Sequence, residues 1–146
     1  MEFVISTQDD IIMEQITTFF QNKKNVLRNK IIPIIQGNSE ISLRLIEKFV
    51  TGYCNKNKIT INKRNGDLLC VHEAYKYKLR SFGKKKLDIF QRNRKILFKY
   101  TNKLYLETTI GQLNFFKFII ETEILNYIED NLEEIKAKLK SQSKKR

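Results

Sequence analysis

One histidine, His72, and two cysteines, Cys54 and Cys70, are the side chains of this sequence with the most reactive chemistry to offer. A hydrolase or transferase needs a nucleophile, a base and a group that orients the base. Cys70 and His72 stand two apart in DLLCVH, which reads as a strand, so both would face one side and could form a dyad. Cys70 also ends an apolar run, where a thiol is most simply a core residue, and that plainer reading outweighs the dyad. Two cysteines and one histidine without a CxxC pair cannot supply four soft metal ligands. The acidic pairs Glu129-Asp130 and Glu133-Glu134 read as solvated helix-surface groups. No GxxxxGK[ST] or GxGxxG occurs, and the glycines at 37, 52, 66, 83 and 111 are isolated turn or cap residues. The sequence therefore predicts no enzyme, no metal and no cofactor.

The other chemistry on offer is charge. The run YKYKLRSFGKKKLDIFQRNRK, residues 75–95, sets Lys76, Lys78, Arg80, Lys84, Lys85, Lys86, Arg92, Arg94 and Lys95 among aromatic rings. Residues 56–105 hold 15 basic groups against Asp67, Glu73 and Asp88, a surplus equal to the whole net charge of +12. The flanking segments are balanced, with six basic and six acidic groups in residues 1–55 and seven of each in residues 106–146. Charge gathered into one block points to a polyanionic partner rather than to solubility. The nine cations are the candidate phosphate contacts for DNA or RNA, and Tyr77 is a candidate stacking platform for unpaired bases. Tyr75, Leu79 and Phe82, spaced i, i+4, i+7, are expected to anchor the ridge on the core. An acidic protein partner is the alternative occupant.

Several elements must position this block. A chain of 146 residues with 41% apolar content builds one core. The prediction is a single α+β domain over residues 1–140, with 141–146 as a flexible basic tail. Ser6 or Thr7 caps a helix over about 8–30, which Pro33 ends; Gly37-Asn38 then opens a second helix over about 39–54. Ile41, Leu45, Ile46, Phe49 and Tyr53 form its buried stripe. The period then changes to two, and Asn65-Gly66 between KITI and DLLCV predicts a hairpin over 58–72 whose central residues both take positive φ. A short basic helix ends at Gly83. LFKY and LYLE form a second hairpin around Thr101, Asn102 and Lys103. Thr109 and Gln112 form a capping box for a long C-terminal helix, or a pair of helices broken near Thr122. No run is long and apolar enough for a membrane span, and the acidic start MEFVISTQDDII does not read as an export signal. Reduced thiols and a non-secreted protein are expected.

Two stretches carry a resemblance. YKYKLRSFGKKKLDIFQRNRKI resembles the pattern YKxxLxxxxKKxxDxFxRxxxI, and TTIGQLNFF resembles TTxGQLNFF; the two occur together in a family of small proteins encoded by giant viruses, the nucleocytoplasmic large DNA viruses. Tyr75, Lys76, Leu79, Lys84, Lys85, Asp88, Phe90, Arg92 and Ile96 match the first, and Thr108, Thr109, Gly111, Gln112, Leu113, Asn114, Phe115 and Phe116 the second. Ile89 stands where that family has Pro, Asn93 where it has Arg, and Phe118 where it has Trp. The missing Pro predicts a less rigid turn before Arg92. The resemblance implies a viral protein, placed in the virion or in the viral factory of the host cytoplasm or nucleus, and assigns no catalytic role. The TTxGQLNFF stretch reads as a helix start packed by aromatics. Three functions follow in order: a non-enzymatic nucleic-acid-binding protein serving replication, transcription or genome packaging; a virion or accessory subunit docking on an acidic protein; and an enzyme using Cys70 and His72.

Overall fold

The structure is a computed structural model that describes residues 7–144. It is an α+β fold of helices with two separate two-stranded antiparallel hairpins inserted between them in the chain. Helix α1 (Gln8–Gln21) starts as its sequence dictates: Thr7 Oγ1 accepts from the Asp10 N–H, and the Asp10 carboxylate accepts from the Thr7 N–H. Ser6, the other candidate cap, lies outside the described residues. Ile12, Ile16 and Phe20 form the buried face of α1.

The helix expected over 8–30 is in fact two. The chain breaks at Asn22 and Lys23, and α2 (residues 24–35) then runs through Pro33 instead of stopping before it. The middle of α2, Leu27–Ile31, is π-helical, with the Ile32 N–H donating to the Leu27 carbonyl five residues back. The wider turn displaces the preceding carbonyls, which is how a proline ring is accommodated without ending the helix.

Helix α3 (residues 43–57) begins later than Asn38 predicted, because Ser42 is the cap and accepts from the Leu45 N–H. It too contains a π-helical stretch, Lys48–Tyr53, and ends at Lys58 in the left-handed conformation. Strands β1 (Thr60–Asn62) and β2 (Leu68–Cys70) pair with Ile61 opposite Leu69, forming the predicted hairpin. Its turn is longer than a two-residue loop: the Lys63 N–H reaches the Asp67 carbonyl, and Gly66 but not Asn65 takes positive φ. The Asn65 side chain instead bridges to Asp67.

Helix α4 (Val71–Phe82) is the short basic helix, four residues longer at its start than its Tyr75–Phe82 stripe predicts. Gly83 ends it, and a 3-10 turn, Lys84–Lys86, leads into an irregular loop. Strands β3 (Ile96–Lys99) and β4 (Tyr105–Thr108) form the second hairpin, with Phe98 opposite Leu106 and both buried.

Helix α5 (Ile110–Glu121) is the centre of the molecule. Gly111 to Phe116, Phe118 and Ile119 are all buried, as befits a helix surrounded by others rather than one with a single apolar stripe. Phe115 and Phe118 pack against Tyr75 of α4 with ring centroids 6.2 and 6.3 Å apart. The C-terminal helix breaks near Thr122 as expected, with Glu123 in the left-handed region, and again at Asn131, giving α6 (Ile124–Asp130) and α7 (Leu132–Lys144). Helix α7 thus continues into the stretch expected to be a flexible tail; Lys145 and Arg146 lie outside the described residues.

Candidate nucleic-acid interface

The basic block divides between two sides of α4, with Lys76 and Arg80 one turn apart on one and Lys78 on the side facing α1, and continues into the loop after it. Val71 and Tyr75 turn inward, so Lys76, Tyr77 and Arg80 point outward. Lys78 is half-buried, its Nζ lying 5.8 Å from the centre of the Phe82 ring. Tyr77 is 64% exposed and lines a groove between α1 and α4 of mixed character, with Ile11 and Phe19 beside Glu14, Gln15 and Lys117, so its ring is accessible.

The loop over residues 84–92 is fixed from below, from a direction the sequence reading did not find. Leu87 and Ile89 are fully buried and act as two anchors in the core. Between them and around them, polar side chains of the α5 start take up the backbone groups of the loop. Asn114 Nδ2 donates to the Lys86 carbonyl at 2.7 Å, and Gln112 Nε2 to the Ile89 carbonyl at 2.9 Å. Thr109 Oγ1 donates to the Gln91 carbonyl at 3.1 Å, while Gln91 Oε1 accepts from the Gly111 N–H at 2.8 Å. The Asp88 N–H donates to the Gly111 carbonyl, and Thr108 Oγ1 donates to Gln112 Oε1 at 2.7 Å, which sets the orientation of that amide.

Thr108, Thr109, Gln112 and Asn114 are buried, and each of these polar side chains has its partner in or beside the loop. The two stretches singled out in the sequence are therefore one unit: TTIGQLNFF is the base and GKKKLDIFQR is what it holds. Gly111 is required by the close approach, since a Cβ there would fall on Gln91 Oε1 and only 2.7 Å from the Lys85 carbonyl oxygen. The predicted capping box is half present. Thr109 accepts from the Gln112 N–H, but the Gln112 side chain turns away to Ile89 and Thr108. The absent proline at 89 does not loosen the turn, because the Ile89 side chain and carbonyl are both pinned. The signal available in the sequence was four polar residues placed where the aromatic pattern requires burial.

With the loop so held, the cations separate into two groups. Lys86 is half-buried and ion-paired with Asp9 in the first turn of α1. Lys84 lies 3.8 Å from Asp88, and Lys95 pairs with Glu107 across the second hairpin at 3.0 Å. Lys76, Arg80, Lys85, Arg92 and Arg94 are exposed and have no salt-bridge partner among the described residues. Arg94 is held in the left-handed region at φ 60°, which is uncommon for a side chain of its size. Lys86, and to a lesser degree Lys84 and Lys95, are thus structural as much as available.

Elsewhere, the proposed Cys70–His72 pair loses its geometric basis. Helix α4 starts at Val71, so the two are not alternate residues of one strand. His72 Nδ1 is buried with no hydrogen-bond partner among the described residues. Burial, reinforced by the neighbouring Cys70, pushes the Cys54 thiol up to about 12. That thiol stays protonated near neutrality and is a poor nucleophile. No group of three or more metal-ligating side chains occurs among the described residues, and none of their helices is long and apolar enough to cross a membrane.

Over residues 2–146 the sequence matches a family of unknown function, DUF7197. It is also 39% identical over 122 residues to the uncharacterized protein L507 of Acanthamoeba polyphaga mimivirus, a match covering 78% of this chain and 47% of the relative. The chain thus spans about half the length of that relative, and the likeness supports a giant-virus origin. No solved structure matches.

Proposed function

Since this chain belongs to the DUF7197 family, for which no function is known, we propose from its own surface that it is a non-enzymatic viral nucleic-acid-binding protein. The observation that carries the reading is the held basic loop. Exposed Lys85 and Arg92 stand on a backbone fixed by buried hydrogen bonds, preceded along the chain by exposed Lys76 and Arg80 of α4 and followed by exposed Arg94. Cations on a rigid base lose less conformational freedom on binding than cations on a floppy tail. Arginine and lysine side chains aimed at solvent without acidic partners suit phosphate contacts, which position a protein on a nucleic acid without reading its sequence. The protein would act in replication, transcription or genome packaging, in the virion or the viral factory.

Anisotropy of labelled mixed-sequence duplex DNA, single-stranded DNA and RNA tests the reading. Binding at about 50 mM salt, where phosphate-driven contacts are strong, is the expected result. Replacing Lys84, Lys85 and Lys86 together by Ala is expected to weaken binding to all sequences alike. A loss confined to one sequence would overturn the non-specific mode.

A second reading is docking on an acidic protein as a virion or accessory subunit. Exposed Phe90, Leu97 and Tyr105 beside the cations favour it, because protein interfaces draw on such aromatic and aliphatic anchors. Nucleic acid failing to bind in the same titrations, with binding to an acidic polypeptide, would select this reading.

A further inference from the structure

The β3–β4 hairpin has one face in the core and one in solvent. Phe98 and Leu106 are buried and seat it, with the Phe98 ring 6.1 Å from that of Phe20, edge to face. Alternation along the strands then fixes what points outward: Leu97 and Lys99 on β3, Tyr105 and Glu107 on β4. Lys99 stands opposite Tyr105 and Leu97 opposite Glu107, so Leu97 and Tyr105 are diagonal neighbours on that outer face. Leu97 is 68% exposed and Tyr105 55%, which leaves both open to a ligand.

The charge around this outer face is positive. Lys99 Nζ lies 6.0 Å from the centre of the Tyr105 ring, and Lys103 is exposed in the connecting turn, which Thr101 Oγ1 shapes by accepting from the N–H groups of Lys103 and Leu104. Neither lysine has a salt-bridge partner among the described residues, while Glu107, the hairpin's sole acid, pairs with Lys95. At its other end the hairpin leads directly out of the basic loop, through exposed Arg92 and Arg94, to Ile96 where β3 starts. An accessible ring and an aliphatic side chain among free cations suit a strand whose bases are unpaired and can stack. Duplex bases stack on one another and offer only their edges in the grooves. Tyr77 has no such setting, because Glu14 shares its groove without a cationic partner among the described residues and would repel phosphate.

We propose that the preferred ligand is a single-stranded nucleic acid whose bases stack on the outer face of this hairpin, one on Tyr105 and its neighbour over Leu97, with phosphates passing Lys99 and Lys103. On binding, Lys99 exchanges the Tyr105 ring for a phosphate, and the base takes its place on the ring. Resting on the nucleic-acid reading of the basic loop, this adds strandedness to it: duplex and single strand alike meet the cations of the loop and α4, and only unpaired bases reach the ring.

Anisotropy titrations of the full chain with a labelled mixed-sequence oligonucleotide, single-stranded and annealed to its complement, test the inference at one salt concentration. The single strand is expected to bind more tightly. Tyr105→Ala is expected to lose about tenfold on the single strand, the size of one base stack, and nothing on the duplex. Tyr105→Phe, which keeps the ring, and Tyr77→Ala are expected to bind both forms as the unaltered chain does. The variant K99A/K103A tests the same face without touching the ring: its slope of log K against log salt is expected to flatten by roughly 1.4 on the single strand, about 0.7 per contact, and to stay unchanged on the duplex. A duplex bound as tightly as the single strand, or a Tyr105→Ala variant that loses equally on both forms, overturns the inference and leaves the nucleic-acid reading standing. So does single-strand affinity unchanged in both Tyr105→Ala and K99A/K103A, the result expected if this face docks on a protein instead. Failure of both forms to bind the unaltered chain would instead remove the nucleic-acid reading, and the inference with it.

Discussion

At the scale of single residues, the contrast between neighbours in the basic run is sharper than their identical chemistry suggests. Lys85 faces solvent, whereas Lys86 is paired with Asp9 and its carbonyl accepts from Asn114. Lys85→Ala is therefore expected to weaken nucleic-acid binding and leave the melting temperature unchanged, and Lys86→Ala to lower the melting temperature more than the affinity. Parallel melting and anisotropy measurements on the two variants check this. Beneath the run, Gln112→Ala would leave the Ile89 carbonyl buried without a donor, a loss of about 1–3 kcal/mol in chemical denaturation. Gly111→Ala is expected to cost a similar amount, about 1–3 kcal/mol, because neither Gln91 nor the Lys85 backbone can retreat without breaking the loop's hydrogen bonds. Cys54 gives a pH dependence of definite sign. Its thiol ionises near 9.0 in the unfolded chain and near 12 in the folded one, so above 9.0 the unfolded state holds fewer protons. Stability is fully present below pH 9.0 and falls as the pH rises toward 12. Denaturation midpoints followed upward from pH 9.0 are expected to decline less steeply in Cys54→Ala. The decline should not vanish, since burial also pushes the Tyr75 and Tyr127 hydroxyls up.

At the scale of elements, Gly83 is the hinge point between ridge and loop. Its φ of 80° and ψ of 161° lie in a region open essentially to glycine alone. Gly83→Ala is expected to cost about 1–3 kcal/mol and to misdirect the Lys84–Lys86 turn, seen as a lower denaturation midpoint together with weaker nucleic-acid binding. Both hairpins, the stripe of α4 and the break near Thr122 were legible in the sequence, because each has a local signature: alternation, helical spacing, or a polar interruption. The α1–α2 break and the passage of α2 through Pro33 were not. A π-turn that absorbs a proline is chosen by packing of Leu27, Ile31 and Ile32 in the core, and no residue spacing announces it. Helix α5 misled for the opposite reason. Its apolar residues fit a stripe, but they also fill the other faces, and only Asn114 and Lys117 interrupt them between Leu113 and Ile120.

At the scale of the whole molecule, the charge map was readable before the fold and the support for it was not. Counting charges located the basic block, since net charge is a property of composition. That the TTIGQLNFF stretch would hold it required two segments about twenty residues apart to meet, and a single sequence has no local mark for such pairing. The central claim is that Lys76, Arg80, Lys85, Arg92 and Arg94 contact phosphate together. The most direct test is the dependence of duplex-DNA affinity on salt for the full chain and for K76A/R80A/K85A/R92A/R94A. Five phosphate contacts give a slope of log K against log salt of roughly −4.5, falling toward zero in the five-cation variant. A slope near zero in the unaltered chain, or one that the variant leaves intact, would contradict the account.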